Sequence, residues 1–502
     1  MKIVKFFKKD KQIDTEIEYV GLAKYMPLII CGGFFLITIM LFALGPFEWN
    51  IANEFKLFSF LILAFVALSL GYILGVKIKR KKTQSNFDIN HIIYVSFIIF
   101  IIMYFLNSYA TTGEIFPNVI RGLFNSGDAY SNSHAITGTF SILIIYLGIL
   151  IAPLTSFLTP LYFIYFKNLS LTSKILGTIT LILNLCVGIA QGVINTYAIL
   201  VFEIIMFLLI YLFSNFKNKS LKKVMTIITI IIAIGASFLI YYKTVMGNRL
   251  VSDAQGDNTN VVVPDNNEIT DNTNTENKNE DDKTNKDEKD EIKEDNKEDE
   301  ILKEEDKATN DMFDSSAELI SQATLKEKHI YSFLPDSIES SLNHITSYIT
   351  HGYKGLSIAL DKEFTSSYGL GFSDFFRHNL LKVIGKTEIE EEIYQRTYMY
   401  KLLQSGWATG SVWVSFFVYP ASDIGFPLTI LLVFGIGLLF SLAWRDTIES
   451  KNIFATVIFM NLCMIVCFFS ANNVYLQNGG PFLTIVSMLL LWLLSRIFGK
   501  KV

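Results

Sequence analysis

Apolar residues fall in long unbroken runs along this chain. Runs near residues 27–44, 57–76, 90–109, 138–165, 174–190, 193–213 and 223–242 precede a long polar stretch, and runs near 424–443, 453–471 and 481–498 follow it. Each is about the length a helix needs to cross a hydrocarbon core of roughly 30 Å. Within lipid a helix satisfies its own backbone hydrogen bonds, which an isolated strand cannot do. The pattern predicts an all-α polytopic membrane protein of about ten transmembrane helices, with a large, mostly helical extracytoplasmic loop domain. The fourth run carries Pro153 and Pro160 and is expected to kink or break. The fifth and sixth runs meet at Gln191-Gly192, which suits a tight turn at a membrane surface.

The polar stretch divides the chain into four parts: a membrane bundle of about seven spans over 1–242, an acidic low-complexity insertion over 243–311, an ordered helical region over 312–423, and about three further spans over 424–502. Residues 253–311 are rich in Asp, Glu, Asn and Lys with almost no aromatics, so they cannot bury enough apolar surface to fold as a globular unit. Their order lacks the regularity of a calcium loop. From Met312 onward helical patterning returns. Residues 315–330 are expected to be helical, and Asp336 with Glu339 reads as a capping box opening a second helix. A short helix over 355–362 and an amphipathic helix over 388–404 follow. Residues 409–420 are apolar and aromatic but too short to span, so they are expected at the interface or re-entering the membrane edge.

Charge sets the orientation. The formal net charge of −4 conceals strong segregation within a chain that is 51% hydrophobic. Lys2, Lys5, Lys8, Lys9 and Lys11 precede the first span, Lys77 to Lys82 follow the second, Lys217 to Lys223 precede the seventh, and Arg496, Lys500 and Lys501 end the chain. With alternating spans these clusters share one side, which the positive-inside rule makes cytoplasmic. The expectation is a multi-pass cell-membrane protein with both termini inside and the large loop outside. That face has no ATP or nucleotide sugars, so an enzyme there needs pre-activated substrates such as lipid-linked diphosphates. All four cysteines lie in apolar runs, where packing explains them. No His-rich metal constellation or nucleotide-binding loop is present, so neither a cofactor nor a nucleic-acid partner is expected.

In the outer region two stretches are distinctive. Tyr348-Ile349-Thr350-His351-Gly352-Tyr353-Lys354-Gly355-Leu356-Ser357-Ile358-Ala359-Leu360 is followed by Phe364 and Tyr368-Gly369-Leu370-Gly371. Further on, Thr409-Gly410-Ser411-Val412 leads through Tyr419 to Asp423-Ile424-Gly425. Together they resemble the signature Y–x–x–x–G–Y–x–x–L–S–x–A–L … F … Y–G–x–G and the later T–x–F … Y–x–D–F–G stretch of Wzy-type oligosaccharide repeat unit polymerases. Val412 and Ile424 replace the aromatics usual in that pattern. The resemblance also covers the order of spans and the late outer loop, but not the charged insertion.

It implies a glycosyltransferase that joins undecaprenyl-diphosphate-linked repeat units into a surface polysaccharide, with a flippase and a chain-length regulator as pathway partners and membrane lipids around it. A diphosphate leaving group calls for fixed positive charge, which arginine supplies through bidentate donors. The outer arginines are Arg121, Arg249, Arg377 and Arg396, with His378 and Trp407 as further substrate contacts. An acceptor hydroxyl calls for a general base, for which His351 and Asp423 lead, with His344 and His378 also in reach of the role. Each has a structural competitor. The histidines can be hydrogen-bonded surface residues, Arg396 an ion pair with Glu392, Asp423 a helix cap, and the aromatics interfacial anchors. Two other classes stay open: a ligase-type transferase using the same donor, and a transporter or flippase. The latter is disfavoured by one intramembrane acid, Glu203, and no internal repeat.

Overall fold

The computed structural model describes residues 17–80, 83–84, 87–127, 129, 139–192, 194–214, 221–256, 323–409, 412–498 and 500–501. The acidic run over 257–311 lies outside these residues. In chain order the helices are α1 Gly33–Leu44, α2 Glu54–Lys77, α3 Ile89–Thr112, α4 Val119–Phe124, α5 Thr139–Thr155, α6 Leu158–Ile164, α7 Leu171–Ala190, α8 Ile194–Ser214 and α9 Leu221–Gly256. Then come α10 Asp336–Thr350, α11 Gly352–Leu360, α12 Asp374–Val383, α13 Glu390–Arg396, α14 Tyr398–Leu403, α15 Val418–Ile448, α16 Ile453–Cys467, α17 Val474–Gln477 and α18 Gly479–Phe498. Among the described residues eight helices are long and apolar enough to cross a membrane, and two shorter apolar ones, Leu28–Leu44 and Ile453–Cys467, fall on the first and ninth expected spans. The protein is a helical, membrane-embedded bundle.

Local chemistry sets several helix starts. Asn53, Asp88, Ser170 and Asn452 each accept a backbone N–H from the first turn of the helix they precede, satisfying donors that have no intrahelical partner. The break expected near Pro153 is present between α5 and α6, where Ser156 Oγ donates to the Pro153 carbonyl at 2.8 Å. Helix α15 runs through a break at Gly425 (φ 75°, ψ 161°). A spanning helix therefore starts afresh there, with Pro427 in its first turn, where a missing N–H costs nothing.

The most extensive seam joins α2 to α15. A Cβ at Gly71 would lie 2.0 Å from the Phe434 carbonyl oxygen, and one at Gly437 would lie 2.1 Å from that of Leu68. Small residues let the two backbones touch, and in lipid this packing replaces the absent hydrophobic drive between helices.

The bundle has two chemically different ends. At one, Trp444 Nε1 donates to Ala23 O, Tyr72 Oη to Lys24 O and Arg445 Nη1 to Ile78 O. Buried Asp446 there faces Arg80 at 3.3 Å and Arg496 at 3.4 Å and accepts from Trp492 Nε1. Strands β2 Thr83–Gln84 and β4 Lys500–Lys501 also pair antiparallel. The first basic residues after α2 and those at the end of the chain thus share one end. At the other end β1 Phe47–Glu48 pairs with β3 Thr324–Leu325, and α10 to α14 pack over the tips of the bundle.

Two expectations for the region over 312–423 need correction. Residues 323–330 are not helical, because Thr324–Leu325 pairs with Phe47–Glu48 and Lys326 N donates to Pro46 O. The helix expected over 388–404 is split at Thr397, which turns to extended backbone (φ −70°, ψ 155°) and caps α14 through its hydroxyl. The partner that wins there is Ser422, whose Oγ accepts the Tyr398 N–H at 3.0 Å. Residues 412–420 are buried and thread beside the 468–471 turn, with Ser415 N donating to Ala471 O.

Candidate functional site

The end of the bundle that carries the β1–β3 pair is built around two joints, one at His351 and one at Asp423. His351 sits between α10 and α11, only 1% exposed. Its Nδ1 lies 2.9 Å from Ser347 O, and its Nε2 accepts the Trp413 N–H at 2.9 Å. A carbonyl only accepts and a backbone amide only donates, so Nδ1 carries the proton and Nε2 is already engaged. No lone pair remains for an acceptor hydroxyl. The geometry reassigns His351 from general base to structural pin.

The residues around it share that role. A Cβ at Gly352 would lie 2.2 Å from Ser470 O, so only glycine lets α11 approach the turn after α16. Tyr353 is fully buried and its hydroxyl meets Thr38 Oγ1 of α1 at 2.8 Å. Trp407 is 2% exposed and packs against Gly355, so its ring is closed to a sugar.

Burial pushes the His351 imidazole down to about 4, partly offset by its Ser347 hydrogen bond. The unfolded chain, with an ordinary value near 6.5, binds a proton in that window and the native state does not. The stability that His351 lends is therefore fully present above about pH 6.5 and lost as pH falls toward 4, to a total of about 3 kcal/mol. Thermal unfolding of purified protein between pH 4 and 8 should show this slope, and His351→Gln should flatten it. An identical slope in the variant would mean that other groups carry the acid sensitivity.

The second joint is Asp423. Its Oδ1 accepts Ser367 Oγ at 2.6 Å and the N–H groups of Gly369 and Gly371, each at 2.9 Å. Ser366 Oγ donates to the Asp423 carbonyl, and Ser367 N donates to that of Ser422. Gly369 has φ +81°, the left-handed region that glycine enters without cost. Gly371 is needed for space, since a Cβ there would meet Ser367 Oγ at 2.2 Å. One carboxylate oxygen thus gathers the Tyr368–Gly371 turn against the start of α15. Asp423 Oδ2 is buried without a hydrogen-bond partner.

The arginines separate by environment. Arg377 on α12 is 7% exposed, with Nη1 2.6 Å from Asp374 Oδ1, Nε 3.7 Å from Glu390 Oε1 and its guanidinium over the Tyr394 ring at 5.3 Å. Its Nε and Nη1 make no well-aligned hydrogen bond, so these contacts are ionic. Two carboxylates neutralise it. His378 is half exposed, and its Nδ1 lies 3.2 Å from Glu390 Oε2, which orients the ring. Arg396 pairs with Glu392 at 3.1 Å and lies over the Tyr368 ring at 4.8 Å. Arg121 on α4 is exposed beside an open pocket lined by Thr112, Glu114, Asn118, Ala129 and Ala190. Among the described residues its side chain has no ion pair. Arg249 falls on α9, but its side chain lies outside the described residues. Helix α4 packs on α7 and α9, whereas α12 packs on α17, and no hydrogen bond or ion pair joins Arg121 to Arg377 or Arg396 among the described residues.

His344 is half-buried, which lowers its basicity. No cluster of three or more His, Cys, Asp or Glu arranged for a metal occurs among the described residues. Two site features escape residue-type reasoning: the hydroxyl of Ser367 and the placement of Tyr368. The sequence signal for both was the Ser366-Ser367-Tyr368-Gly369-Leu370-Gly371 run, whose partner lies more than fifty residues away. No protein-family profile, curated protein or solved structure matches the chain.

Proposed function

We propose that the chain is a polytopic membrane glycosyltransferase of about ten spans that joins lipid-diphosphate-linked oligosaccharide units on the outer face of the cytoplasmic membrane. The end carrying Arg80, Arg445 and Arg496 is cytoplasmic in this reading, by the positive-inside rule. The observation that supports it most is the Asp423 clamp. The two stretches that resemble the polymerase signature meet there, with Arg396 and Tyr368 at the exposed rim.

In the reaction, the acceptor hydroxyl oxygen bonds to the anomeric carbon of the donor chain, the bond from that carbon to the phosphate oxygen breaks, and lipid diphosphate leaves. The hydroxyl proton passes to a base. With His351 engaged on both sides, His378 is the better base: Glu390 fixes its ring through Nδ1, leaving Nε2 for the proton. Arg121 and Arg396, not closed in by two carboxylates as Arg377 is, serve the departing diphosphate.

The test is glycan analysis of a deletion strain. The expected result is loss of long polymer with single repeat units retained on lipid or on the cell surface. Unpolymerised units trapped on the cytoplasmic face would instead point to a flippase, and normal polymer would refute the reading.

A further inference from the structure

Resting on that transferase reading, we infer that Tyr368 is the sugar-binding platform of the outer site, presented by the Asp423 clamp and backed by Arg396. Three observations converge on it. First, Tyr368 has φ +60°, a left-handed backbone that a bulky aromatic rarely adopts. Asparagine or glycine would sit there with less strain. Second, the ring is not buried in the core: Tyr368 is 67% exposed with Arg396 over one face, while Tyr353, Tyr398 and Tyr419 on neighbouring elements are buried. Third, its backbone is held from both sides. Ser366 Oγ accepts its N–H at 3.2 Å, and Asp423 Oδ1 holds the flanking Ser367, Gly369 and Gly371. The fold therefore maintains an unfavourable backbone conformation in order to present an aromatic ring to solvent.

The chemistry of the platform follows from its faces. The Arg396 guanidinium covers one face at 4.8 Å, and most of the ring is open. The apolar C–H face of a pyranose suits the open ring, since flat aromatic surface binds it without needing to recognise a particular hydroxyl. Arg396 spends one nitrogen, Nη2, on Glu392 and is about a third exposed. Its remaining donors can meet an anionic group on the same ligand, either a sugar carboxylate or the diphosphate itself. Asp423 acts through the turn it holds, so it is a positioning residue.

The experiment compares the parent chain with Tyr368→Phe, Tyr368→Gly and Tyr368→Asn in the deletion strain at matched membrane levels. It reads the amount and modal length of the polymer together with the unfolding temperature of the purified proteins. Glycine relieves the backbone strain and removes the ring. Tyr368→Gly should therefore unfold no lower than the parent, yet lose polymer by about tenfold. Phenylalanine keeps the ring face and should recover most of that loss. If Tyr368→Gly does not accumulate, Tyr368→Asn, which also tolerates this backbone, is read the same way. Polymer equal to the parent in the ring-less variants overturns the platform. A Phe variant as poor as the Gly variant also overturns it, because the hydroxyl and not the face would then be at work. A parent chain that fails to restore polymer refutes the transferase reading instead.

Discussion

Asp423→Ala is expected to lower stability by about 3–5 kcal/mol and, under the proposed transferase function, to abolish polymer formation. The carboxylate oxygen receives one hydroxyl and two backbone N–H donors. Hydrogen bonds to a charged acceptor contribute roughly 1.5–3 kcal/mol each, and donors left unpaired add their own desolvation cost. Alanine would orphan the Gly369 and Gly371 amides and free the strained Tyr368 backbone, so the turn should open. Asp423→Asn keeps one acceptor oxygen but places an amide NH2 in the unpartnered Oδ2 position, so a smaller loss of about 1–2 kcal/mol is expected. Thermal unfolding in detergent and hydrogen exchange at the Gly369 and Gly371 amides measure both effects. Unchanged protection of those amides in Asp423→Ala would show that the turn does not depend on the clamp.

The apolar runs were legible because a membrane helix is written in consecutive residues. The break at Pro153 was legible for the same reason: its cause and its effect lie within one turn. What escaped was set by partners distant in the chain. A capping-box reading of Glu339 is local, but in the structure its carboxylate meets His329 Nε2 at 3.0 Å. The continuous amphipathic pattern over 388–404 could not reveal that Ser422 draws Tyr398 out of register.

The same limit governed the site. A histidine beside a signature-like glycine looks like a base until Trp413 is found donating to its ring, 62 residues away in the chain. In the sequence Asp423 stands as a candidate base with a helix cap as its competitor, whereas in the structure the helix breaks at Gly425 and the carboxylate reaches back to the 367–371 turn. The identity of the residues was informative; which of them were occupied by protein was not.

That distinction separates the arginines, and Arg121→Ala against Arg377→Met tests it. Arg121→Ala is expected to leave the unfolding temperature essentially unchanged, because the side chain is exposed and its nearest described structural role, the Asn118 cap, uses only the backbone N–H. If it stabilises the departing diphosphate, its removal should reduce polymer by on the order of 10²-fold. Arg121→Lys should restore little where the contact is bidentate. Arg377→Met should behave in the opposite way. It leaves Asp374 and Glu390 facing each other without their shared cation and removes the guanidinium packed on Tyr394. Asp374 is half exposed, so solvent screens part of that repulsion, and a stability loss of about 2–3 kcal/mol is expected. Polymer should then fall in proportion to folded protein, and activity per folded molecule should hold. The measurement is polymer formed per unit of properly folded membrane protein, with unfolding temperature alongside. Should Arg121→Ala polymerise like the parent, this arginine has no part in leaving-group stabilisation. Should Arg377→Met instead keep its stability and lose turnover, the buried ion cluster belongs to the chemistry rather than to the scaffold.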